Sequence, residues 1–163
     1  AEIFPTLMGL ETVVLRYFNV FGPRQDPSSA YSAVIPLFIC AALDQKPPTI
    51  NGDGSQTRDF TYIDNVVDAN VRACLAPAEA VSGEVFNVGC GERISVARLW
   101  QEIQAALGVE LEAVAGPPRP GDVRDSLADL TKIRARLGYE VLVPLDEGVR
   151  RTADWLQGQR ATR

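Results

Sequence analysis

Residues 11–18 form an almost continuously apolar run, with Val13, Val14 and Leu15 at its centre. A half-buried strand alternates apolar and polar residues; an unbroken run suits a strand buried on both faces, as in a parallel sheet. Parallel strands are joined by long crossovers, usually helical, so this run commits the chain to an α/β arrangement with further strands elsewhere. Few such strands are visible. That predicts a truncated sheet whose strand at 12–18 keeps uncovered edges, and with it pairing to a second copy, strand swapping or disorder near the start.

Turn chemistry divides the remainder. Residues 1–8 read as the end of a helix closed by Gly9. Residues 20–30 are turn-rich, with Gly22, Pro23 and Pro27. Residues 32–43 predict a helix apolar nearly all round and therefore buried, with Pro36 tolerable only in its first turn. Thr49 to Asn51 suits a short strand, Gly52-Asp53-Gly54 a turn, and 59–62 another strand. Ile63, Val66, Val67, Val71, Cys74 and Leu75 recur with a period of about 3.6, which predicts a helix ended by Pro77. Residues 85–88 and 111–114 read as strands. Ser95 is placed to cap a helix carrying Val96, Leu99, Trp100, Ile103 and Leu107, ended by Gly108. Two helices follow, over 131–137 and 145–157.

The 163 residues suffice for about one domain with a real core. A net charge of −5 argues against a nucleic-acid surface, yet leaves room for an anionic small ligand held by a few arginines. With no histidine, every His-dependent triad and the usual zinc sets are excluded. Cys40, Cys74 and Cys90 have neither metal-ligand spacing nor an even count, and read as buried thiols of a reducing cytoplasm. No run has membrane-spanning length, so no membrane partner is expected.

Three loops carry candidate chemistry. Tyr17-Phe18-Asn19-Val20-Phe21-Gly22-Pro23-Arg24 follows the buried strand, where ligands of open α/β sheets bind; equally, its aromatic residues suit packing under a turn. Gly52 to Phe60 combines turn glycines with Arg58, whose planar fork matches a diphosphate; the alternative is a surface turn with a local Arg58–Asp59 pair. Pro117-Pro118-Arg119-Pro120-Gly121-Asp122-Val123 holds an arginine and a carboxylate in stiff backbone; the alternative is a linker with two solvated charges.

Four stretches, LRYFNVFGPRQ, NGDGSQTRDFTYIDNVVDA, FNVGCGERISV and PRPGDVRDSLAD, occur in this order. Together they resemble the NAD-dependent epimerase/dehydratase family, the extended short-chain dehydrogenases/reductases, and within it the UDP-glucose and UDP-N-acetylglucosamine 4-epimerases. The resemblance runs from about residue 1 to 156. It implies the C-terminal portion of a Rossmann-like α/β fold: a partial parallel sheet plus a small α/β nucleotide-sugar domain. Residues 1–20 would be a remnant of the Rossmann-like domain, 21–163 mainly the substrate domain, with about 63–90 packing on the Rossmann side.

The implied roles follow residue by residue. Tyr17 and Phe18 would lie at the nicotinamide end of an NAD site. Asn19 would contact the diphosphate or sugar of a UDP-sugar. Thr49 and Asn51 would present backbone to the uracil. Arg58 and Arg119 would clamp the diphosphate, and Asp122 would accept from the ribose hydroxyls. Ser126 would leave room for an N-acetyl group where family members restricted to plain hexoses carry a bulky aromatic residue. The family's chemistry is hydride removal and return at the sugar C4.

The family's GxxGxxG turn and Tyr-x-x-x-Lys do not occur in the sequence. The cluster at 83–91 has the wrong spacing, and Ala1-Glu2 is similar to the continuation of the helix that bears the lysine. The chain by itself is therefore expected to be inactive, a partial UDP-sugar site at most. Two other identities stay open: a nucleotide-sugar dehydratase or UDP-glucuronate decarboxylase of the same superfamily, and a catalytically dead binding module.

Overall fold

The computed structural model describes residues 4–27 and 34–161. The expectations for residues 1–3 and for a helix start at Ser32 lie outside those residues. The elements run α1 (Phe4–Met8), β1 (Val14–Tyr17), β2 (Asn19–Phe21), α2 (Val34–Leu43), β3 (Thr49–Asn51), β4 (Thr57–Arg58), β5 (Phe60–Tyr62) and α3 (Ile63–Leu75). They continue α4 (Ala78–Val81), β6 (Val85–Val88), β7 (Ile94–Ser95), α5 (Val96–Leu107), β8 (Val114–Gly116), α6 (Thr131–Leu137) and α7 (Leu145–Ala161). The class is α/β, as expected. The strands pair in twos: β1 with β6, β2 with β5 and β3 with β8 in parallel, and β4 with β7 antiparallel.

Two apolar clusters organise the chain. The first gathers Phe21, the inner face of α2, Leu99, Trp100 and Ile103 of α5, and Val149, Ala153 and Leu156 of α7. Trp100 meets Phe38 edge to face at 5.6 Å between ring centroids, a geometry the ring quadrupoles favour. α5 begins where Ser95 Oγ accepts from the Arg98 amide at 3.1 Å and ends at Gly108, whose φ of 64° is the left-handed conformation that glycine adopts without strain. The second cluster lies between Phe86 and Val88 of β6, Val66, Ala69 and Ala73 of α3, and Ile133, Leu137 and Tyr139. Asn65, fully buried on α3, joins the two. Its Oδ1 accepts from the amides of Leu142 and Val143 (2.8 and 2.9 Å), and its Nδ2 donates to Val143 O at 2.8 Å.

Several expectations are corrected. β1 is not buried on both faces: Val14 and Leu15 are half-buried, Arg16 and Tyr17 exposed. Among the described residues only β6 flanks it, and Val13 and Leu15 turn to the second cluster on one side. Asn19–Phe21 is a strand rather than the start of a turn, because β5 supplies its partner. The strand expected at 111–114 lies at Val114–Gly116 instead. Leu111 is held by side chains: Trp100 Nε1 donates to its carbonyl at 3.0 Å, and its amide donates to Gln104 Oε1 at 2.8 Å. The helix at α2 is not buried all round, since Leu37 is exposed. Of the cysteines, Cys74 is exposed and Cys40 and Cys90 are half-buried, not buried. Cys74 belongs to the outward stripe of α3 with Val67, Val71 and Leu75, while the small Ala69 and Ala73 face inward. No described helix is long and apolar enough to cross a membrane.

Candidate functional site

Strand pairing brings the three loops together. Parallel pairing of β2 with β5 sets Asn19 opposite Phe60, two residues after Arg58. Parallel pairing of β3 with β8 sets Thr49 opposite Val114 and Asn51 opposite Gly116, so the proline-rich segment leaves β8 beside the C-terminal end of β3. Gly116 permits this approach, because a Cβ there would lie 2.7 Å from both Asn51 Oδ1 and Thr49 Cγ2. Thr57 closes the ring. Its amide donates to Arg124 O at 2.8 Å, its carbonyl accepts from the Ser126 amide at 3.2 Å, and its hydroxyl donates to Asp125 Oδ1 at 2.7 Å.

The result is a cleft of about 270 Å³. Asn19, Thr49, Asn51, Arg58, Arg119 and Asp122 all line it. Arg119 and Asp122 remain exposed on their proline-rich segment. Arg58 is paired not with Asp59 but with Asp122: its Nη2 donates to Asp122 Oδ1, and its Nη1 to Thr57 O at 2.7 Å. Asn19 Nδ2 donates to Asp59 O at 3.1 Å, which leaves the amide oxygen available to a ligand donor. A second, more open hollow of about 600 Å³ adjoins the first and shares Asn51, Gln56, Arg119 and Asp122 with it.

Tyr17, Phe18 and Ser126 do not line the cleft. Tyr17 Oη donates to Asn70 Oδ1 at 3.0 Å at the open end of β1, and Phe18 packs against the second cluster. Ser126 sits half-buried beside β4, four residues beyond Asp122 on the same segment.

Sequence reasoning missed the apolar wall and one polar group. Leu37 and Phe38 of α2 face the cleft, a surface that a helix apolar all round conceals in its pattern. Gln56 lies inside a loop already singled out; its Nε2 donates to Asn51 O at 2.8 Å and steadies the end of β3.

Local bonds and burial shift two titratable groups of the loops. The Ser55 hydroxyl (2.6 Å) and amide (2.9 Å) hold the Asp53 carboxyl below its ordinary range. Burial, and next the Asp59 carboxylate, push the Cys90 thiol up to about 12, so it is protonated at neutral pH and no nucleophile. Among the described residues, the glycine turn after β6 does not build a dinucleotide cradle. Gly89 and Gly91 follow β6, but a Cβ at Gly89 would meet Ala128 Cβ at 2.6 Å and Asp59 Oδ2 at 2.7 Å, so that turn is filled by the chain's own side chains.

Comparison with known proteins shows the family and the fold. The model of the NAD dependent epimerase/dehydratase family matches residues 4–89. The UDP-glucose 4-epimerase of Mycolicibacterium smegmatis is 41% identical over 158 residues, 97% of this chain and 49% of the relative. The structure of a UDP-glucose 4-epimerase from Thermotoga maritima, solved with UDP-glucose, superimposes with a TM-score of 0.91 at 39% identity, covering 98% of this chain and 50% of that one. A UDP-N-acetylglucosamine 4-epimerase from Methanobrevibacter ruminantium, solved with UDP-N-acetylmuramic acid, gives 0.86 at 39% identity, covering 96% and 49%. The chain thus spans about half the length of the proteins it matches.

Proposed function

Because this chain belongs to the NAD-dependent epimerase/dehydratase family, we propose that its cleft is the nucleotide-sugar site of a UDP-sugar 4-epimerase. One observation carries the reading: two arginines, Arg58 and Arg119, share a cleft with Asn19, Thr49, Asn51 and Asp122. A diphosphate offers more acceptor oxygens than one carboxylate, so it competes well for the Arg58 fork that Asp122 holds. Asp122, released, accepts from the ribose hydroxyls. Thr49 and Asn51, at the end of β3, present backbone to the uracil, and Asn19 meets the diphosphate or sugar.

The same reading divides the chain. Residues 1–20 belong to a Rossmann-like layer that also carries NAD, with Tyr17 and Phe18 at its nicotinamide end. Residues 21–163 are mainly substrate domain, and about 63–90 pack on the Rossmann side. The outward apolar stripe of α3 supports this division. The hydride step at C4 belongs to the complete enzyme, and the 163 residues alone bind without turning over.

Calorimetric titration of the chain with UDP tests the reading. Measurable binding is expected, and Arg58→Ala or Arg119→Ala should each weaken it by about 1.5–3 kcal/mol, as for hydrogen bonds to charged groups. A folded sample giving no binding, or substitutions without loss, overturns it.

The reading extends to N-acetylated sugars through Ser126, whose small side chain stands four residues after Asp122. In a protein of the relatives' full length, Ser126→Tyr should reduce turnover of UDP-N-acetylglucosamine about tenfold more than that of UDP-glucose, in line with what pocket size discriminates. Equal losses overturn this part alone.

A further inference from the structure

Asp59 stands beside Arg58 in sequence, is completely buried, and does not line the cleft. An isolated buried carboxylate is costly. Here it accepts three backbone N–H bonds: from Cys90 to Oδ1 at 2.8 Å, and from Gly91 and Ala128 to Oδ2 at 2.9 and 3.1 Å. Bonds to an ionised acceptor are roughly twice as strong as neutral ones, which offsets the burial. Its main chain is equally engaged, since Asp59 O accepts both the amide and the Nδ2 of Asn19, each at 3.1 Å.

These bonds reach three separate segments. Asn19 is fixed directly. Arg58 is fixed through the shared peptide. The segment carrying Asp122 is fixed from its far end by Ala128, while Thr57 holds it from the near side through Arg124 and Ser126. The turn after β6 comes close enough only because residue 89 is glycine. We propose that Asp59 is the positioning residue of the cleft: its carboxylate ties the turn after β6 and the segment running back to Asp122 onto the strand whose main chain holds Asn19 and Arg58, and so sets the mutual placement of the three and the preference for a diphosphate over an uncharged nucleoside. This rests on the nucleotide-sugar reading above.

The test compares UDP with uridine, which lacks the diphosphate, on the 163-residue chain. The wild-type chain should prefer UDP. Asp59→Asn keeps the size but turns an amide N–H towards backbone N–H groups. It should lower UDP affinity by about tenfold with little change for uridine, as loss of aim at a charged ligand demands. Equal losses for both ligands, or no loss, overturn the proposal; a wild-type chain without preference for UDP overturns the nucleotide-sugar reading instead. Should Asp59→Asn not fold, Gly89→Ala serves. It leaves the charge intact and presses a methyl group against Oδ2, and it should lower the UDP-to-uridine preference in the same direction; an unchanged preference overturns the proposal.

Discussion

α3 and α5 are both helices that hydrophobic period alone marks, of 13 and 12 residues, yet the structure uses them differently. In α5 the large apolar residues Leu99, Trp100 and Ile103 lie inside, and the outer positions are polar or alanine. In α3 the inner face is Asn65, Val66, Ala69 and Ala73, while Val67, Val71 and Leu75 are exposed, Leu75 by 79%. The cluster around α5 is packed between α2 and α7. The cluster beneath α3 is a single packed layer with an apolar outer surface. The site stands where the first cluster opens, with the Leu37–Phe38 face of α2 as one wall. A complete core supports the candidate ligand groups, and a half-covered one carries the segment that we assign to the Rossmann side.

The strongest way to break the comparison is to open the closed cluster. Trp100→Ala removes a ring that is 4% exposed, its edge contact with Phe38 and the indole donor to Leu111 O. Truncations of this kind cost about 3–5 kcal/mol, and the freed Leu111 should loosen the approach to β8 and with it the cleft. Chemical denaturation measures the loss. A cost under about 1 kcal/mol, the ordinary effect of a surface change, would mean that the cluster is not a rigid support.

Next in size is the joint between the clusters. Asn65→Ala strands the buried amide and carbonyl of Val143 and the part-buried amide of Leu142. Groups left unpaired there cost about 1–3 kcal/mol. If the two clusters form one cooperative unit, the unfolding transition shifts without broadening; two resolved transitions would show that they are independent bodies.

The same contrast explains what the sequence made legible. α5 could be read with both ends, because its cap, its stripe and its terminal glycine are local signals. The inward face of α3 could not. Two apolar stripes fit the period, and only the space beside β6 selects the one lined with alanine. β2 was hidden for a related reason, since its partner β5 lies about forty residues on and strand pairing at that separation leaves no local mark. In the site, Arg58, Arg119 and Asp122 stood out through family resemblance and loop chemistry. Their convergence depends on the β3–β8 register, and the Arg58–Asp122 pair depends on that convergence. Leu37 carried no signal at all, because a cleft-facing leucine and a core leucine look alike in an apolar helix.

The smallest effect sharpens the comparison most. Val71→Lys and Leu75→Lys both fall on the exposed stripe of α3, one turn apart. If that stripe faces water in the 163-residue chain, each substitution should change stability by less than about 0.5 kcal/mol, and lysine, a fair helix former, leaves α3 intact. Sedimentation of the wild-type chain then decides what the stripe does instead. Association that the lysines abolish means that a second copy covers it, and in that case the lysines destabilise the assembly in a concentration-dependent way. In a protein of the relatives' full length, where we place a Rossmann-like layer on this face, the same lysine would replace a buried leucine and cost about 1.5–3 kcal/mol. A penalty that large in the 163-residue chain, independent of concentration, would mean that the stripe is already packed inside one chain, and the two clusters would then be alike.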